Sequence, residues 1–179
     1  EMTMTMSIAN SEDEFRSAAR KELALGADFV KIYASESASQ SLQREPQPIM
    51  TRAEIRATVE AAQMGGTYVA AHAHSLSAIR LCMEEGVRCI EHATFLDRRT
   101  ADELSAGDNV YLTPTFAVLT PPSDGRRSSE ELASKKKLLH LSAENIGYAY
   151  QRGIHMGFGT DLINGQLEHF YQEFAYRSE

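Results

Sequence analysis

Helical and strand-like segments alternate along the whole chain, and that alternation limits the fold more than any other feature. "SEDEFRSAARKELALG" opens with Ser11 and Glu14 in capping-box spacing. It sets Phe15, Ala18, Ala19 and Leu23 on one face and stops at Gly26, which predicts a helix. "DFVKIYA", residues 28–34, follows it. Its β-branched and aromatic residues predict a strand. The pattern then repeats: Thr51 and Glu54 form a second capping box at the head of "TRAEIRATVEAAQMGG", and "TYVAAHA" follows as a strand. "SLSAIRLCMEEG" and "VRCIEHA" make the third pair, and "DRRTADELSAG" and "NVYLTPTF" the fourth. A polar loop around "TPPSDGRRSS" leads to a long helix at 129–152 and a fifth strand, "IHMGFGTD". Such alternation predicts parallel strands with covering helices, either as an open doubly wound sheet or as part of a (β/α)8 barrel.

Composition narrows the function classes. With 179 residues, 42% hydrophobic and 24% charged, the chain has the make-up of one globular domain with a sizeable core. A net charge of −7 and a pI near 5.4 argue against a nucleic-acid surface, and the short "SKKK" at 134–137 is expected to be a solvated helix face. No apolar run is long enough to span a membrane, and "EMTMTMSIAN" lacks the regions of a signal peptide. Cys82 and Cys89 read as buried thiols of a reducing compartment, which leads to an expected cytoplasmic location.

The carboxyl ends of parallel strands are where such folds collect functional residues, and these ends carry Lys31, His72, His74, His92 and Asp161. His72 and His74, two apart in "TYVAAHAHS", share a face with Ala70 and Tyr68, as a shared site or as the polar edge of a strand. Lys31 lies between Val30 and Ile32, on one face with Phe29 and Tyr33, where a lone ammonium is costly to desolvate. It either snorkels from a strand edge, pairs with a buried carboxylate, or is modified, since a neutral lysine can add carbon dioxide to become a carbamate. Alternation along "CIEH" is expected to turn His92 inward with Ile90 and to leave Glu91 facing the helices. Gly157 and Gly159 share a face with Asp161 and are expected to leave room there for a ligand. Imidazoles and carboxylates gathered this way suit zinc or a similar divalent ion.

Taken together, "GADFVKIYAS", "VAAHAHS", "IEHATFLD", "TPTF" and "GFGTDL" resemble the amidohydrolase superfamily. The likeness is to the imidazolonepropionase-like branch, with its prolidase-like dipeptidases and N-acyl amino acid hydrolases. The resemblance implies that Lys31 is the carboxylated bridging lysine of strand four, His72 and His92 the metal ligands of strands five and six, and Asp161 the acid of strand eight. It implies substrate contact for His74, and His169 in "GQLEHFYQEF" faces either the substrate or solvent. His140 and His155 belong to no motif and are expected to be structural. Two departures stand out: Glu36 and Ser37 replace the family's glycine pair after "AS", and no His-x-His pair precedes Lys31. The chain, residues 1–179, is therefore expected to be strands four to eight of a (β/α)8 TIM barrel, without strands one to three and without the small β-domain.

In a complete enzyme the resemblance implies two divalent ions, zinc by expectation, bridged by the Lys31 carbamate. These would lower the pKa of a shared water that attacks an amide carbonyl, with Asp161 as general base and then general acid. The expected substrate is a small molecule, a dipeptide or another N-acyl amino acid, and a homo-oligomer is expected by family habit. The rival expectation is a half-barrel binding or scaffold module, inactive without another chain.

Overall fold

The computed structural model describes residues 6–38, 44–107, 109–120, 128–162 and 169–178, so most of the polar loop after Thr120 lies outside the described residues. Five of the six described α-helices begin at a residue whose side chain caps them. In α1, Glu12–Ala24, the Ser11 side chain accepts from the Glu14 N–H, and Gly26 leaves the helix at φ 98, a left-handed value that glycine adopts without strain. α2, Arg52–Met64, has the reciprocal Thr51–Glu54 box that its sequence predicts. Ser75 caps α3, Leu76–Glu84, and Asp97 caps α4, Arg98–Ser105. The long α5, Ser129–Gln151, starts on a Ser128–Glu131 box, and α6, Phe170–Ser178, ends the described chain.

Between the helices run four parallel strands in sequential order: β1, Val30–Tyr33; β2, Val69–Ala73; β3, Cys89–His92; and β4, Tyr111–Thr113. Right-handed helical crossovers are the usual way to return such strands parallel. The register decides what each face carries. Ile32, Ala71, Ile90 and Leu112 form one cross-strand row, all buried in the core that also holds Ile55, Val59, Ile79 and Cys82. The rows on either side, Lys31–Ala70–Cys89–Tyr111 and Tyr33–His72–Glu91–Thr113, point to the opposite face.

The fifth predicted strand, 154–161, is reduced to a single parallel bridge between Met156 and Leu112. Leu112 donates to the His155 carbonyl and accepts from the Gly157 N–H at 2.7 Å, after which the segment turns away. The basic run 134–137 is also less uniform than expected, because Lys135 is buried while Lys136 and Lys137 are exposed. Of the two thiols expected to be buried, Cys82 is fully buried, with burial pushing it up to about 12, whereas Cys89 is only half-buried, its thiol raised first by desolvation.

Ile90 is fully buried at the centre of the core row. Ile90→Ala is expected to lower unfolding free energy by roughly 2–5 kcal/mol in chemical denaturation, the range for a large-to-small change in a packed core.

Candidate metal centre

Three histidines converge at the carboxyl ends of β2 and β3. His72, His74 and His92 are 7%, 4% and 4% exposed, so the reading of the pair as a solvated strand edge does not hold. Their ring centroids lie 4.4–4.6 Å apart, with His74 stacked on His92 and both edge-on to His72. Each offers a nitrogen within 4.8 Å of the others'.

His92 does not arrive there by strand alternation. Alternation places it on the helix side with Ile90 and puts Glu91 on the site face, the reverse of the sequence-based expectation. A left-handed backbone at His92 (φ 69) and Ala93 (φ 49) then swings the imidazole back to the cluster. Such values are uncommon outside glycine and gather at functional sites.

Two threonines hold the rings. His74 Nδ1 shares a 2.9 Å hydrogen bond with Thr94 Oγ1, and His92 Nδ1 shares one of 2.7 Å with Thr115 Oγ1, the direction of each depending on the tautomer. The His74 backbone N–H donates to Ser35 Oγ at 2.9 Å, tying the end of β2 to the end of β1. Sequence reasoning assigned no role to Ser35, Thr94 or Thr115. Their only signal was position, since each follows a strand end within a motif already quoted.

Burial keeps the imidazoles neutral. Desolvation, reinforced by Lys31, lowers His72 to about 4, and desolvation with His72 beside it lowers His74 to about 3. His92 falls well below the ordinary value, first through burial and then through its histidine neighbours. Neutral imidazole is the ligating form. Buried His72 Nε2 has no hydrogen-bond partner among the described residues, and an orphaned buried lone pair beside two further imidazoles is a donor set that fits a divalent ion.

Lys31 lies near His72 and His92, whose values it lowers, whereas Asp161 neighbours Lys31 and Glu91 and is not among the residues within ligand spacing of one another. Lys31 is exposed, not desolvated as its place in an apolar strand suggested, and it forms an ion pair with Glu91, which is partly exposed where the sequence alternative had a buried carboxylate. Desolvation raises the Asp161 carboxyl above its ordinary value, with Lys31 opposing and Glu91 adding to the rise. Asp161 also sits in left-handed backbone, φ 52, and shares with Lys31, Phe29 and Tyr33 the wall of an open hollow of about 650 Å³. Gly157 and Gly159 serve a different purpose from the one expected. A Cβ on them would meet Thr113 Oγ1 at 2.6 Å and Thr113 Cγ2 at 2.9 Å, so they admit Thr113 and leave no ligand space of their own. His169, half-buried before α6, shares a hydrogen bond with Gln172 and is not one of the clustered histidines. His140 is exposed and pairs with Glu144, while His155 stacks on Tyr111, in keeping with structural roles.

Comparison with known proteins shows what the whole chain is similar to. A family model described as "Amidohydrolase family" matches residues 2–178. Ochratoxinase from Aspergillus niger is 25% identical over 175 residues, covering 94% of this chain and 35% of that enzyme. A crystal structure of an amidohydrolase superposes with a TM-score of 0.77 at 32% identity, covering 95% of this chain and 42% of that one. A prolidase crystallised with N-methylphosphonate-L-proline gives a TM-score of 0.76 at 29% identity, covering 94% and 42%. The chain thus spans about a third of the length of the curated relative it matches (35%). No described helix is long and apolar enough to cross a membrane.

The lowered histidine values set a pH dependence. Unfolded histidines take up protons near pH 6.5, whereas His72 and His74 in the fold resist to about 4 and about 3. The unfolded state therefore binds more protons in that interval, and stability falls as pH drops through it. Thermal unfolding of the metal-free chain is expected to show a falling Tm from about pH 6.5 toward 4, with a shallower slope in His72→Gln. Equal slopes in the two proteins would show that His72 is not held neutral.

Proposed function

This chain belongs to the amidohydrolase family, and we propose that its histidine centre serves metal-dependent hydrolysis of an amide bond in a dipeptide, of prolidase type, or in another N-acyl amino acid. The observation that carries this reading is the buried imidazole trio in which His72 Nε2 lacks any protein partner among the described residues. The bound phosphonate of the prolidase relative, an analogue built on proline, supports the choice of substrate class.

In this reading His72 and His92 hold the ion, with Lys31 and Asp161 as the further ligands and zinc as the metal best suited to imidazole donors. Such an ion supplies Lewis-acid charge that lowers the pKa of water and polarises a carbonyl. The remaining work falls to side chains of this chain. The raised carboxyl of Asp161 is suited to accept a proton from the attacking water and return it to the departing amine. His74, with Nδ1 engaged by Thr94, presents its remaining nitrogen to the substrate, and His169 is a further substrate contact. Carboxylation of Lys31 requires its amine to give up both a proton and the Glu91 pair, so an ion must compensate the lost attraction.

Two observations favour competing readings. The ring nitrogen of His74 lies within ligand spacing of the other two, which suits a three-histidine site. The Lys31–Glu91 pair, which occupies the amine that a carbamate would need, suits a binding module that needs another chain for activity.

Metal analysis of variants separates these. His72→Ala is expected to lose metal and hydrolysis together, and His74→Ala to keep metal while raising KM for dipeptides and N-acyl amino acids. Equal metal loss in both would favour the three-histidine site. Asp161→Asn preserves shape and one oxygen donor but not the proton acceptor. Turnover is expected to drop by roughly two to four orders of magnitude with much of the metal retained. Near-normal turnover would remove Asp161 from the reaction, and absence of hydrolysis with a metal-loaded parent chain would favour the binding module.

A further inference from the structure

The final helix carries an ion pair that the proposed reaction does not use. Glu173 is fully buried, and its Oε2 accepts from the backbone N–H groups of Phe116 and Ala117 at 2.7 and 2.8 Å. Its Oε1 accepts from Arg177 Nε at 2.8 Å. Arg177 in turn donates through Nη1 to the Gly157 carbonyl at 2.9 Å and through Nη2 to the Pro114 carbonyl at 2.7 Å. Its guanidinium also lies over the Phe158 ring, 4.8 Å from the centroid.

The residues gripped are informative. Pro114 and Phe116 flank Thr115 on both sides, and Thr115 Oγ1 is the hydrogen-bond partner of His92 Nδ1. One buried carboxylate and one forked guanidinium thus fix the backbone before and after the single hydroxyl that orients His92. A fully buried carboxylate with three accepted bonds, joined to a partly buried guanidinium with three donated ones, resists displacement, because breaking the set leaves the carboxylate unpaired in low dielectric. Surface docking of α6 needs none of this, since Tyr176 already packs against Phe116 and its hydroxyl accepts from Thr120 at 3.2 Å.

We propose that Glu173 and Arg177 are positioning residues for His92, acting through Thr115 to hold the imidazole with its proton on Nδ1 and its lone pair on Nε2. The proposal rests on the metal-centre reading only for why that tautomer is useful, because an imidazole presents a ligand atom when its other nitrogen donates outward. The orientation itself is a property of the metal-free chain. Glu173 reaches His92 across a chain of two contacts and touches no substrate.

The experiment reads His92 directly. Long-range proton–nitrogen NMR of the metal-free chain near pH 7.5 reports the tautomer of each imidazole, and titration with Zn2+ alone reports affinity. Thr115→Val is expected to shift His92 toward the Nε2–H form and to weaken Zn2+ binding roughly ten- to a hundredfold, the range for loss of an outer partner of a ligating histidine. Thr115→Ser is expected to restore both. Arg177→Lys, which keeps the charge but loses the fork, and Glu173→Gln are expected to move His92 the same way while leaving the His74 signals in place, since Thr94 holds that ring independently. Should Glu173→Gln fail to fold, Arg177→Lys carries the test. Folded Arg177→Lys with the parent His92 tautomer and parent Zn2+ affinity would overturn the proposal. A parent chain that binds no Zn2+ yet shows the tautomer shifts would instead sink the metal-centre reading and leave the positioning role standing.

Discussion

Left-handed backbone at two successive residues, His92 and Ala93, is the constraint on which the histidine cluster depends. With ordinary strand geometry the His92 side chain would continue the alternation of β3 and fall on the helix side with Ile90. Each such residue carries a cost of order 1–3 kcal/mol that the surroundings must over-determine. They do so here. Ala93 is fully buried and its N–H donates to the carbonyls of Ala73 and Glu91, while the His92 ring is stacked on His74 and bonded to Thr115.

Around that turn the structure is layered by function. The core row Ile32–Ala71–Ile90–Leu112 joins the strands to their helices and says nothing about chemistry. On the other face the imidazoles meet a charged trio of Lys31, Glu91 and Asp161, in which the ammonium both lowers His72 and restrains the rise of Asp161. Glu91 is the member that gives this trio its balance: it holds Lys31 and adds to the Asp161 shift. Lys31 and Glu91 offset each other, and an ionised Asp161 leaves the trio with one negative charge in excess beside the three neutral imidazoles, so a cation is favoured by lone pairs and by charge together.

The threonines of the cluster are themselves held from outside the sheet. The Asn145 side chain on α5 donates to the Thr94 carbonyl at 2.9 Å, and the Glu173–Arg177 pair on α6 brackets Thr115. Helices far along the sequence thereby reach the orientation of rings at the ends of β2 and β3. Rigid support of this kind limits the reorganisation an imidazole undergoes when it takes up a ligand.

Much of the fold was legible in the chain, because helix starts and apolar strands are written in local patterns: the cap at Ser11, the box at Thr51, the glycine after α1, and the β-branched runs at β1 and β2. The strand-end histidines were legible for the same reason, as was the family resemblance that the match over residues 2–178 bears out. What the chain could not reveal depends on atoms brought together from afar. The pairing of Lys31 with Glu91, the filling of the Gly157 and Gly159 face by Thr113, and the bracketing of Thr115 by Glu173 and Arg177 all join segments distant in sequence. The sequence alone determined the alternating parallel α/β pattern and the presence of histidines at the strand ends. Only the tertiary structure decided which face Glu91 occupies and how His92 reaches the site, because a two-residue period does not say which parity meets the helices, and a left-handed turn at the strand end carries His92 back to the cluster.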